Sequence, residues 1–242
     1  MFIALTAVEY LIALGAVVIG AVAQGSVGFG FGMLAAPVLA LVDEELVPGA
    51  VLLLGLTVAL IIAWDERGAL DWLGIRWALV GRVLGTLAGA YAVTRLDHDA
   101  MAIALGLLIL FAVVISLTGW HVRPTTTTLV GAGMMSGVMG TLTSVGGPPM
   151  ALVYQREDAA KLRSTLAGFF VFGASLALLV LTVSGEVGER QLVDGVILLP
   201  GLFVGLVLSR ALAPYLASGR TRAGVLALST VAAAALVVGA LI

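Results

Sequence analysis

Six runs of about twenty apolar residues, at 46–64, 77–94, 100–120, 162–183, 192–216 and 223–242, leave little of the chain for anything else. A helix crossing about 30 Å of hydrocarbon needs roughly 20 such residues, so each run has the length of one crossing. In lipid an unpartnered backbone N–H or C=O costs several kcal/mol, which restricts a spanning segment without strand alternation to a helix. An all-α integral membrane protein is therefore expected. With 61% apolar and 11% charged side chains in 242 residues, no soluble domain fits beside the spans. The absence of cysteine excludes a disulfide scaffold and a thiolate metal site, and a formal charge of −2 argues against a nucleic-acid binder. No cofactor or metal is expected. No H-E-x-x-H, G-x-S-x-G, P-loop or paired membrane carboxylates occur, so an enzyme is not expected either.

Two further apolar stretches are longer and interrupted. Residues 7–42 are broken by Gly25-Ser26-Val27-Gly28-Phe29-Gly30-Phe31-Gly32, and residues 126–154 by Gly140-Thr141-Leu142-Thr143-Ser144-Val145-Gly146-Gly147-Pro148-Pro149. Each precedes three of the clear runs. At an offset of 115 residues the interrupted segments align without a gap, pairing Gly25 with Gly140, Gly32 with Gly147 and Asp43 with Asp158. Past the next loop the offset is 120, where Gly81 meets Gly201 and Gly85 meets Gly205. This reads as a duplication, 1–122 and 123–242 forming one membrane domain; chance matching in a Gly- and Ala-rich alphabet is the alternative. The end of the first stretch, Ala21-Val22-Ala23-Gln24, imitates a signal-peptidase site. No Lys or Arg precedes it and Glu9 interrupts it, so the segment is expected to be retained.

Positive charge chooses between two topologies. If each interrupted segment crosses once, the twelve basic residues divide seven against five. If each enters and turns back at its glycine loop, only Arg95 and Arg190 lie on one side, and the other ten share the face that the positive-inside rule makes cytoplasmic. Trp64, Trp72, Trp77 and Trp120 fall on that face too. The expected architecture is thus two inverted repeats, each a re-entrant broken-helix hairpin followed by three transmembrane helices, with both termini outside the cytoplasm.

The glycine loops carry the candidate site. A helix restarting near Met33 or Pro148 presents free N–H groups and a positive dipole end, which suits a small anion. Hydroxyls and an amide stand in or beside the loops, and the expected binding set is Gln24, Gly25, Ser26, Gly28, Gly30, Gly32, Gly140, Thr141, Thr143, Ser144, Gly146, Gly147 and Pro148. These donors are neutral, so the pocket is expected to hold its anion without a buried permanent charge. Arg82, a turn and a half inside its run, is divided between attracting the anion and snorkelling to the interface. Arg163 and Thr165 are candidates for the cytoplasmic mouth, while Arg210 is expected to snorkel. Gly81, Gly85, Gly89, Gly201 and Gly205 read as small-residue packing stripes. Asp43 and Asp158 read as helix caps, and Glu9 as the one weak proton carrier.

The segments 25–37 and 137–149, followed by Arg163-Ser164-Thr165, resemble the paired glycine motifs of the sulfite exporter TauE/SafE family over nearly the whole chain. The resemblance implies export of small sulfur oxyanions, such as sulfite or an organosulfonate like sulfoacetate, across a bacterial inner membrane. A small anionic substrate and the bilayer are then the partners, with the coupling ion and oligomeric state left open. Alternating access by rocking of one repeat against the other is the expected mechanism; a channel for small solutes and a non-transporting membrane subunit are the alternatives.

Overall fold

The computed structural model describes residues 5–117, 122–216 and, between 226 and 238, all but 228, 232 and 236. Trp120, His121, Arg220, Arg222 and much of the last apolar run lie outside the described residues. Within them the chain is helical and has no strand. The order is α1 (Ala7–Val27), α2 (Phe31–Val42), α3 (Gly49–Asp65), α4 (Trp72–Val93), α5 (His98–Leu117), α6 (Thr126–Thr143), α7 (Gly147–Tyr154), α8 (Ala159–Val183) and α9 (Glu189–Leu216). Short 3-10 turns at Glu44–Leu46 and Arg67–Ala69 join α2 to α3 and α3 to α4. By length and composition α1, α8 and α9 could each cross a membrane; α2, α3 and α5 supply shorter apolar spans.

Both interrupted segments break where the glycines stand. α1 ends on Gly28 at φ 91°, and α2 starts from Gly30 at φ 118°. A side chain rarely adopts that left-handed backbone, which is why glycine occupies both positions. α2 then folds back along α1, bringing Phe31 and Ala35 against Gly20. In the second segment Ser144 takes the left-handed conformation at φ 60°, and α7 starts at Gly147 with proline in its first turn. This chain also folds back, since the Ser136 hydroxyl donates to the Gly146 carbonyl at 2.5 Å. The restarts fall at Phe31 and Gly147, two residues and one residue earlier than expected.

Glycine stripes lock two helix pairs. Gly81, Gly85 and Gly89 of α4 lie on the backbone of Val130, Met134 and Val138 in α6, and Gly133 answers against Ala78. Gly201 and Gly205 of α9 lie on Leu14, Val18 and Ala21 of α1, and Gly25 lies on Ser209. In each pair the contacts advance together along both chains, so α4 runs parallel to α6 and α1 parallel to α9. Without side chains between them the backbones approach closely, the usual means of associating helices in lipid. α8 packs against α3 and α4, and α9 against α1 and α3.

Ion pairs cluster at the helix ends. Arg163 pairs with Glu66 at 2.7 Å, Arg210 with Asp65, and the Tyr154 hydroxyl donates to Asp71 at 3.0 Å. Exposed Trp64 and Trp72 belong to the same end, with Arg67 over the Trp64 ring. At the opposite end Arg190 pairs with Asp43 and Glu45. Asp43 also accepts from the Glu45 N–H, capping the 3-10 turn, whereas Asp158 precedes α8 without a side-chain cap bond. Glu9 starts α1: its carboxylate accepts from the Thr6 N–H and hydroxyl at 2.8 and 2.9 Å in a capping box.

Candidate functional site: a cavity between two hairpin turns

The two glycine turns meet each other. Gly32 lies against the carbonyl of Ser144, and Gly147 against the Phe29 side chain. Beside this contact is a cavity of about 60 Å³, lined from the first hairpin by Gln24 and Gly30–Met33, and from the second by Gly140 and Ser144–Gly147. Val51 and Leu52 of α3, Arg82 of α4, and Phe170 and Ala174 of α8 complete the wall. Most of the lining is apolar, with a few polar groups to fix orientation, as is usual for small-ligand sites.

Arg82 dominates its chemistry. The residue is 2% exposed, so it does not snorkel. α4 begins at Trp72, capped by Asp71, which puts Arg82 ten residues into the helix. At 1.5 Å per residue that is about 15 Å, half the hydrocarbon thickness. The expectation of a site without a permanent charge is therefore corrected, because a guanidinium is buried in its wall. Among the described residues no carboxylate pairs with it. Nη1 donates to the Ser136 carbonyl at 2.7 Å and to its hydroxyl at 2.9 Å, and the guanidinium carbon lies 5.5 Å from the Phe169 ring centre. Nε is buried with no hydrogen-bond partner. Burying a charge in a weakly polar interior is costly without a counter-charge, and this one has only neutral partners.

Gln24 is the second polar group. Its Oε1 accepts from the Phe31 N–H at 3.2 Å, satisfying the first free donor of α2 and leaving its amide N–H groups available to the cavity it lines. The Ser144 hydroxyl is engaged across the wall with the Pro48 carbonyl at 3.1 Å.

Of the residues expected in the site, Gln24, Gly30, Gly32, Arg82, Gly140, Ser144, Gly146 and Gly147 line the cavity. The others do not. Ser26 donates to the Val22 carbonyl at 2.7 Å and Thr143 to the Met139 carbonyl at 2.7 Å, each satisfied one turn back in its own helix. Thr141 stands against Gly89 at the α4–α6 contact, and Gly25 against Ser209. Gly28 receives the stem of Arg163, whose guanidinium is held by Glu66. Thr165 accepts from the Asp71 N–H at 3.0 Å, and Pro148 faces a separate small cavity beside Phe29 and Leu162. It follows that Ser26→Ala is expected to leave the thermal midpoint of the purified protein little changed, since a surrendered back-bond changes little else; a large drop would show that the hydroxyl carries more than this one bond. Ser136, Phe170 and Gly173, which bound the guanidinium or the cavity, were not among the expected residues. Their only sequence signal is a serine, a phenylalanine or a glycine in an apolar run, which is too common to mark them.

The protein-family model described as Sulfite exporter TauE/SafE covers residues 12–236, nearly the whole chain. No curated protein and no solved structure matches.

Proposed function

The chain belongs to the sulfite exporter TauE/SafE family, whose members are membrane transporters of sulfur anions, and on that basis we propose that it exports small sulfur oxyanions from the cytoplasm. The cargo is sulfite or an organosulfonate such as sulfoacetate, and the site is the cavity between the two glycine turns. One observation carries the reading: a buried guanidinium without a carboxylate partner stands in the wall of a small cavity at the meeting of two broken helices. An anion there supplies the missing counter-charge, and Gln24 and the first-turn amides of α2 add neutral donors.

The architecture proposed with it is a pair of inverted repeats in a bacterial inner membrane, with both termini outside the cytoplasm. The helix directions support it. α1 is parallel to α9, α6 is parallel to α4, and the short connection 66–71 turns α4 back from α3. Gly49 and Gly195 place α3 alongside α9 in the same direction, so α1 and α3 run one way and their counterparts α6 and α8 run the other. Folding back at each glycine turn lets one hairpin enter from either face. Single cysteines report this directly, because the chain has none of its own. A membrane-impermeant maleimide is expected to label Asp97→Cys and Gly185→Cys in intact cells, and Gly68→Cys and Glu157→Cys only after permeabilisation. Equal labelling of all four removes the inverted arrangement.

The moving bodies differ from the expected ones. Each glycine-locked pair takes one helix from each half, so rocking half against half would separate backbones in direct contact. Alternating access is proposed instead between the α1–α9 body and the α4–α6 body, which meet at the turns, at α3 and at α8. With the cell interior negative, expelling one negative charge gains about 2.3 kcal/mol per 100 mV, more than a tenfold gradient supplies, so no proton relay is needed. The test is sulfite and sulfonate flux in proteoliposomes: saturation and counterflow support a carrier, whereas linear flux without counterflow supports the channel.

A further inference from the structure

Three cavities share walls in sequence, and the site cavity is the middle one. On one side its wall is Ser144, whose hydroxyl donates to the Pro48 carbonyl at 3.1 Å. Behind Pro48 opens a cavity of about 400 Å³, at the end of the molecule where Arg190 pairs with Asp43 and Glu45. On the other side the wall is Gly147, covered by the Phe29 side chain. Behind Phe29 lies a cavity of about 100 Å³ that reaches Leu162, next to the Arg163–Glu66 pair. A single contact therefore separates the middle cavity from each neighbour.

Both contacts are built to release. The Pro48 carbonyl already accepts from the Leu52 N–H at 2.9 Å inside α3, so losing Ser144 strands no backbone group. Only one neutral hydrogen bond is given up. Phe29 stands between Gly28 at φ 91° and Gly30 at φ 118°, two positions where the backbone turns without a Cβ in the way, so its ring can swing while α1 and α2 stay helical. The contacts also lie on seams between different helices: Phe29 follows α1 and Gly147 opens α7, while Ser144 ends α6 and Pro48 precedes α3.

We propose that the three cavities are one transport route, with Phe29 as its gate toward the Arg163–Glu66 end and the Ser144–Pro48 hydrogen bond as its gate toward the Arg190 end. This rests on the transport reading above and assigns the parts that alternate. In the proposed topology Phe29 is the cytoplasmic gate and Ser144–Pro48 the outer one. The larger cavity serves passage rather than binding, because Glu44, Glu45, Asp97 and Glu186 in its lining repel an anion that has left the site.

The experiment uses Ala174→Cys, which places a single thiol in the wall of the middle cavity. Its rate of modification by the membrane-impermeant 2-sulfonatoethyl methanethiosulfonate is measured in right-side-out and inside-out vesicles, with the thermal midpoint of each purified protein recorded. Adding Ser144→Ala is expected to raise the rate from the outer face about fivefold, the weight of one neutral hydrogen bond, and to leave the cytoplasmic rate unchanged. Phe29→Ala is expected to do the reverse. Phe29→Leu, a milder loss of bulk, is expected to raise the cytoplasmic rate about twofold, and it decides the inner gate if Phe29→Ala does not accumulate. Parent-like rates in folded Ser144→Ala overturn the outer gate, and parent-like rates in folded Phe29 variants overturn the inner one. Equal increases from both faces overturn both, since they mark general loosening. Labelling needs no cargo, so the expected sidedness without sulfite or sulfonate flux would defeat the transport reading and not the gates, whereas flux with parent-like labelling would defeat the gates alone.

Discussion

Arg82→Gln is expected to abolish sulfur-anion flux while leaving a folded protein that is at least as stable as the parent. Removing one member of a desolvated charge pair costs roughly 3 kcal/mol, so anion affinity is expected to fall about a hundredfold or more. The stability change runs the other way. The guanidinium is 2% exposed, opposed by no carboxylate among the described residues, and only partly compensated by Ser136 and the Phe169 ring. A neutral side chain of similar length removes that burden, and replacing buried charges by neutral groups is often neutral or stabilising. Flux and the thermal midpoint are measured on one preparation. Loss of both together would make Arg82 a structural residue, and retention of flux would exclude it from the site. Addition of a transported anion is expected to raise the midpoint of the parent and not of the variant, because only a ligand that binds the native state shifts it.

The second large effect is expected in the glycine stripes. Gly85→Ala and Gly133→Ala each place a methyl group on the carbonyl of a neighbouring backbone, Met134 in one case and Ala78 in the other. No flexible side chain is there to yield, so α4 and α6 must separate along their whole contact. Overpacking alone costs about 1–3 kcal/mol, and losing the paired contacts on either side adds to it. Both variants are expected to fail to accumulate in the membrane. Gly131→Ala and Gly15→Ala are the controls, because a Cβ at either position has nothing within 4 Å. They are expected to be neutral or to gain up to about 1 kcal/mol from better helix propensity, although Gly131 lies only two residues from Gly133. Expression and thermal stability of the four proteins check the contrast, and equal behaviour of all four would dismiss the backbone lock.

How much was legible beforehand depends on how local each signal is. The breaks at Gly28–Gly30 and Ser144–Gly146 were readable because glycine spacing and the Pro148-Pro149 pair act on the backbone where they stand. The packing role of Gly81, Gly85, Gly201 and Gly205 was readable from spacing alone. The depth of Arg82 was not, since it turns on where α4 begins. An apolar run read from Trp77 leaves Arg82 near the interface, whereas the Asp71 cap starts the helix at Trp72 and carries it to the middle. Hydroxyls misled for a related reason. Ser26 and Thr143 look like free donors in a list of residues, but in a helix each finds the carbonyl one turn back. Ser136 and Gly173 carry no local mark at all, for their importance comes from a guanidinium delivered by another helix.

The crossed pairing of α1 with α9 and α4 with α6 also dictates a schedule for manufacture. α4 leaves the ribosome before α6 and must wait in lipid with its bare backbone stripe unmatched. α1 finds its partner only after α9 has been synthesised. The α1–α9 pair can therefore form only after every helix between its members has been made. Truncation after α6 would strand the earliest segment without a mate and offer it to membrane quality control, however well the intervening helices had inserted.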